Sequence, residues 1–168
     1  MIIESFDGQR EDEDITAVYR QHPWVMAKAG ILAVILIVIG SIPLAIGFSW
    51  GTVGFSWGTE CLLLFIALAG LYFTLNLYLW LNTIYILTTQ RIFGIVQKGL
   101  FHRINNEVPL ANIQNVAHVK KGIWQMAFDF GEVEIQTSGS KTAMTLGNIE
   151  RPYQVQQRIL AKNEMVSG

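Results

Sequence analysis

The chain has 168 residues, 51% of them hydrophobic, with 12 Lys and Arg against 13 Asp and Glu for a formal net charge of −1. That balance, without any run rich in lysine or arginine, offers no field to steer the protein toward nucleic acid, which is excluded as a partner. The single cysteine, Cys61, rules out an intramolecular disulfide and any cysteine-built zinc cluster.

Residues 1–14 are polar and acidic, with Glu11-Asp12-Glu13-Asp14 in succession, and read as a mobile tail. Residues 15–20 (ITAVYR) are short and rich in β-branched side chains, the composition of a strand. His22-Pro23-Trp24 then opens a helix, since proline is tolerated at the first helical position and tryptophan suits a headgroup layer. Two apolar runs follow, residues 29–48 and 61–81, 20 and 21 residues long and free of charge. At about 1.5 Å rise per residue, roughly 20 residues cross a hydrocarbon core. Residues 23–82 therefore read as a transmembrane hairpin. The first run starts after 28 residues and exceeds the apolar region of a signal peptide, so a retained helix is expected.

All 12 Lys and Arg lie outside residues 29–81: Arg10, Arg20 and Lys28 precede the hairpin, and Arg91, Lys98 and Arg103 follow it. The positive-inside rule then puts both termini in the cytoplasm and the 49–60 linker outside, with the hairpin in the cytoplasmic membrane. That linker region carries a repeat, GFSWGT at 47–52 and again at 54–59, whose Trp50 and Trp57 would anchor the outer interface. Pro43, with Gly40 and Ser41 beside it, predicts a kink or a close helix contact. Thr59 reads as the cap of the second helix, with Glu60 in its first turn. Tyr72, Asn76 and Trp80 share one face of that helix, and the Asn76 amide requires a partner in the first helix or another protein.

After Asn82 the period changes to alternation. Strands are expected at 83–88, 91–97, 103–108, 115–120, 132–137 and 141–146, separated by turn residues such as Lys98-Gly99, Pro109, Gly122 and Ser138-Gly139-Ser140. In Glu132-Val133-Glu134-Ile135 the apolar and acidic residues alternate, as in a half-buried strand. Residues 123–128 suit a helical turn, and residues 152–162 an amphipathic helix starting at Pro152. The fold class is α+β: a helical hairpin plus a small bent sheet or barrel over 83–165 with a C-terminal helix.

Tyr85-Ile86-Leu87-Thr88-Thr89-Gln90-Arg91-Ile92, then Gly99, Val108-Pro109-Leu110, Ile113-Gln114-Asn115-Val116 and residues 131–137 (GEVEIQT) together resemble the bacterial pleckstrin-homology family, in its membrane-flanked type. Arg20-Gln21-His22-Pro23 fits the segment those proteins place before their hairpin, whereas Asp129-Phe130-Gly131 departs from the family pattern. The resemblance implies a seven-stranded bent sheet capped by a helix. Six strands follow the hairpin, so the strand at 15–22 would be the seventh, and the hairpin an insertion in the domain. Pairing it there would also cover an exposed edge.

Chemistry is sparse. There is no HExxH, P-loop or glycine-rich dinucleotide fingerprint, and His22, His102 and His118 have no metal-ligand spacing. No catalytic residue, cofactor or metal is expected; His22 reads as a cap or interface residue and His118 as a strand-face residue. The fold name raises headgroup binding, for which Arg91, Lys98, Arg103, Lys120 and Lys121 are the candidates, at about 1 kcal/mol each near anionic lipid. The plainer reading makes them positive-inside flanks and solvated turn residues. Within the membrane, Asn76, Tyr72, Gly40 and Ser41 are the candidate helix-contact residues. The expected function is a non-enzymatic membrane protein whose domain scaffolds other membrane proteins through strand edges or the groove beside its last helix. Weak anionic-lipid binding is the alternative, an accessory subunit of a transporter or enzyme complex the remote one. Lipids and other membrane proteins are the expected partners, with homo-oligomerisation left open.

Overall fold

The computed structural model describes residues 12–49, 55–137 and 140–167. The chain divides into two compact units, Met1–His22 with Asn82–Gly168, and Pro23–Leu81. Trp50, residues 1–11 and the Ser138-Gly139 turn lie outside the described residues.

The Pro23–Leu81 unit is a pair of helices, α1 (Trp24–Ser49) and α2 (Phe55–Leu81). Over Trp24–Ile46 and Trp57–Leu81 both are long and apolar enough to cross a membrane. The second helix starts one turn earlier than the cap expected at Thr59, because Phe55-Ser56-Trp57 carries no helix breaker and continues the helix N-terminally. Pro43 lies inside α1. A Cβ on Gly58 would come within 2.7 Å of the Leu44 Cα, so the two helix backbones approach closely beside this proline.

The second unit has two antiparallel sheets. The first orders β1 (Ile15–Arg20), β2 (Ile84–Thr88), β3 (Arg91–Gln97) and β4 (Arg103–Pro109). The second orders β5 (Ile113–Val119), β6 (Phe130–Thr137) and β7 (Ser140–Glu150). A 3-10 turn (Leu110–Asn112) joins the sheets, α3 (Ile123–Ala127) joins β5 to β6, and α4 (Pro152–Ser167) follows β7. β1 pairs with β2 in the register Val18↔Ile86 and Arg20↔Ile84, although the whole hairpin separates them in sequence. β7 runs past the expected Leu146 to Glu150, and Ile149 bridges to Gln21.

Alternation sets the core. Val133 and Ile135 of β6 are fully buried while Glu132 and Glu134 are only partly so. They meet Tyr85, Leu87, Ile92, Val108, Leu110, Val116, Leu146 and Ile149, with Val155 and Ile159 of α4 closing one end. Gly94 of β3 makes one crossing possible: the space its side chain would fill is occupied by Met144 Cε of β7.

Candidate functional site

Of the five basic side chains that could have met a headgroup, three are engaged. Arg91 is a correction to the sequence reading, for it is buried rather than displayed. Its Nε and Nη2 donate to the two Glu13 carboxylate oxygens, each at 2.9 Å, and its Nη1 reaches Glu107. Thr88 Oγ1 donates to the same Glu13 carboxylate at 2.7 Å and accepts from the Arg91 backbone N–H. The Glu13 hydrogen bonds raise the Arg91 guanidinium above its ordinary value. The segment read as a mobile tail is likewise anchored where it is described. The Asp12 carbonyl accepts from the Gln90 side chain, Asp14 exchanges hydrogen bonds with Thr89, and the Glu13 side chain is fully buried. A buried carboxylate forked by arginine is a structural anchor, and its signal in sequence was an acidic run with one arginine at the turn after β2.

Lys120 pairs with Asp129 across the loop before β6, and Lys121 pairs with Glu132 at 2.8 Å. The Glu132 hydrogen bond raises the Lys121 amine above its ordinary value. Lys98 and Arg103, at the β3–β4 turn, are exposed and form no ion pair among the described residues.

An open cleft of about 310 Å³ lies between β3 and β4 on one side and β7 on the other. Tyr85, Val96, Lys98, Ile104, Asn106, Met144, Thr145 and Gly147 line it. At its base the Gly147 N–H donates to the Tyr85 phenol oxygen at 3.1 Å, and burial pushes that phenol up from its ordinary 10.0. β4 and β7 are the terminal strands of their sheets, so the cleft opens between two strand edges that have no neighbouring strand along it among the described residues. The edge of β5 is different. Gln156 and Asn163 of α4 donate to the Val116 and Ile113 carbonyls, so the helix already covers that groove.

The candidate helix contacts separate. Gly40 faces Phe65, whose Cβ takes the space a side chain would need. Asn76 and Ser41 turn instead to their own helices. Asn76 Nδ2 donates to the Tyr72 carbonyl at 2.8 Å and Ser41 Oγ to the Val38 carbonyl at 2.7 Å. Asn76 thus makes a back-bond one turn earlier, open to a short polar side chain on any helix.

Two of the three histidines pack as side chains of the fold, and His102 is exposed. His22 stacks on Phe130 with ring centroids 5.0 Å apart, and His118 Nδ1 contacts Gln156 Oε1 at 2.6 Å. No group of three potential metal ligands exists among the described residues. The pentapeptide Gly-Phe-Ser-Trp-Gly, at 47–51 and again at 54–58, spells the GxSxG letters of a nucleophile elbow. That device is a strand-to-helix turn, whereas Ser49 closes α1 and Ser56 lies in the first turn of α2.

The sequence profile described as Bacterial PH domain matches residues 23–163. Among solved structures the chain is similar to a DUF1696 family protein with a pleckstrin-homology domain from Shewanella loihica PV-4. The identity is 18% and the TM-score 0.40, over 50% of this chain and 73% of that one. It is also similar to a pleckstrin homology domain from Shewanella amazonensis SB2B, at 16% identity and TM-score 0.39, over 49% of this chain and 67% of that one. A search of curated proteins finds no match.

Proposed function

The chain belongs to the bacterial PH domain family, and from that premise we propose a non-enzymatic integral membrane protein whose PH-like unit binds other proteins in a membrane assembly. Both termini lie in the cytoplasm, and α1 and α2 are the membrane anchor. Their length and composition, together with the absence of Lys and Arg between residues 29 and 81, support that arrangement. A reporter fused after Gly168 is expected to be active only in the cytoplasm, and periplasmic activity would remove the reading.

The cleft between β4 and β7 carries the interaction role. It offers two strand edges for main-chain hydrogen bonds and a floor of Val96, Ile104 and Met144 for apolar side chains. That is the pairing of contacts by which an extended peptide adds to a sheet. Charge offers less. With Arg91, Lys120 and Lys121 paired, Lys98 and Arg103 remain for anionic headgroups, about 2 kcal/mol together at the membrane surface.

The test fills the cleft. Thr145 is exposed at its wall, so Thr145→Arg should preserve folding and remove the proteins that co-purify in mild detergent. The change Arg103→Gln, outside the cleft lining, should leave them bound. The opposite pattern, loss only in the charge variant, makes lipid or acidic contact the function and overturns the peptide reading.

A further inference from the structure

Exposed apolar side chains in the sheet unit are concentrated in two places. One is the β3–β4 turn, where Phe101 is 100% exposed and Leu100 52%. The other is α3 with the residue after it, where Ile123 is 80%, Met126 70% and Trp124 61% exposed, and no residue of the helix is buried. Elsewhere among the described residues of this unit, only Tyr153, Met165 and Val166 of α4 are large, apolar and exposed.

Both places adjoin the points where the chain leaves the unit for the helices. In the register of the first sheet, Arg20 lies opposite Ile84, so departure and return are side by side. Beyond them only Gln21, His22 and Pro23 precede α1, and only Asn82 and Thr83 follow α2. The β3–β4 turn is tied to the return. The Gln97 N–H donates to Thr83 Oγ1 at 3.3 Å, and the Lys98 N–H donates to the His102 carbonyl at 2.9 Å, closing the turn with Leu100 and Phe101 at its tip. Helix α3 is tied to the departure. His22 N–H donates to the Asn148 carbonyl at 2.7 Å, its ring stacks on Phe130, and the Gln125 amide reaches the Asn148 side chain at 3.5 Å.

We infer that Leu100 and Phe101, with Ile123, Trp124 and Met126, form a docking surface that enters the interfacial layer of the protein's own membrane. The inference rests on the reading of α1 and α2 as membrane spans. Connections of two and three residues keep this end of the unit within reach of any bilayer those helices cross. Tryptophan suits the headgroup boundary, where its apolar ring is buried and its polar edge stays wet, and Phe101 at the turn tip adds a wholly apolar ring. Lys98 and Arg103 flank the Leu100-Phe101 tip with positive charge that complements anionic lipid, and this is the occupant the surface fits. Its consequence is that the domain is held against the membrane by more than its tethers, with the orientation of the β4–β7 cleft fixed accordingly.

The test uses full-length protein in nanodiscs of phosphatidylcholine with phosphatidylglycerol. Cys61→Ser removes the native thiol, and single spin labels are then placed by Phe101→Cys, Ile123→Cys, Tyr153→Cys and Val34→Cys, all at exposed positions. Relaxation by oxygen relative to a water-soluble nickel chelate reports immersion. The labels at 101 and 123 should show oxygen-to-nickel ratios several-fold above the label at 153, approaching that at 34. A high ratio at 34 with aqueous values at 101 and 123 overturns the docking surface and leaves the spans standing. Aqueous values at all four positions remove the spans and the docking surface together. Shielding from both reagents at 101 or 123 means contact with protein instead of lipid, and also overturns it.

Discussion

The two units keep their apolar side chains in opposite places. In the helical pair, Ile31, Val34, Val38, Leu63 and Leu71 are each more than half exposed, whereas in the sheet unit Leu110, Val133, Ile135, Leu146 and Ile159 are at 0%. Water is a poor solvent for the first arrangement and the ordinary solvent for the second. Polar groups divide in the same way. Asn76 and Ser41 bond to carbonyls of their own helices, one turn away. Glu13, Thr88 and Arg91 satisfy one another across up to 78 residues of sequence. One unit is held by local bonds and an apolar exterior, the other by long-range pairing, and each should fail by a different perturbation.

The strongest break in that symmetry is Glu13→Ala. It leaves Arg91 buried with the more exposed Glu107 as its charged partner among the described residues, and losing one member of a buried pair typically costs about 3–5 kcal/mol. Amide exchange in β2 and β3 of the full-length protein should quicken by orders of magnitude while α1 and α2 are unchanged. Unaltered exchange at Thr88–Arg91 would mean that the anchor contributes nothing to the sheet.

The reciprocal perturbation is Gly40→Leu. Phe65 already occupies the space beside Gly40, and forcing a side chain into a filled contact costs about 1–3 kcal/mol. Here exchange in the helical pair should rise and the sheet unit should stay protected. Gly70→Ala is the control, because nothing lies within 4 Å of its missing Cβ. Equal behaviour of the two variants would show that Gly40 is not a packing point.

What could be read from the sequence follows the same divide between local and distant causes. The two long apolar helices were legible because length and absence of charge are local properties, and β6 because Val133 and Ile135 alternate with glutamates. The strand Ile15–Arg20 was legible through its own composition. Its register against β2, and the extension of β7 to meet Gln21, depend on residues more than 60 positions away. Glu13 is the clearest failure. An acidic tetrapeptide looks solvated, and only the folded sheet brings it to Arg91, which by itself looked like a surface cation. Asn76 shows the opposite case, a local hydrogen bond to the Tyr72 carbonyl that the sequence reading did not anticipate. The concentration of exposed apolar residues at 100–101 and 123–126 was equally hidden, because a turn and a short helix give no periodicity from which burial can be judged.

The mildest test acts on the sheet unit through pH. Burial raises the phenols of both Tyr85 and Tyr19 above 10.0. The folded state therefore holds their protons more tightly than the unfolded chain does, and this contribution to stability is complete below pH 10. It declines as pH rises through the ordinary tyrosine range toward the raised folded values, because the unfolded state ionises first. Tyr85→Phe removes one of the two titrations and also the acceptor of the Gly147 N–H. At neutral pH the variant should lose about 1 kcal/mol, the net worth of one hydrogen bond. Above pH 10 its melting temperature should fall less steeply than that of the parent, so that the two curves converge. Parallel curves across that range would mean that the Tyr85 phenol ionises in the fold as readily as in the unfolded chain. The bond between β2 and β7 at the base of the cleft would then be open to water.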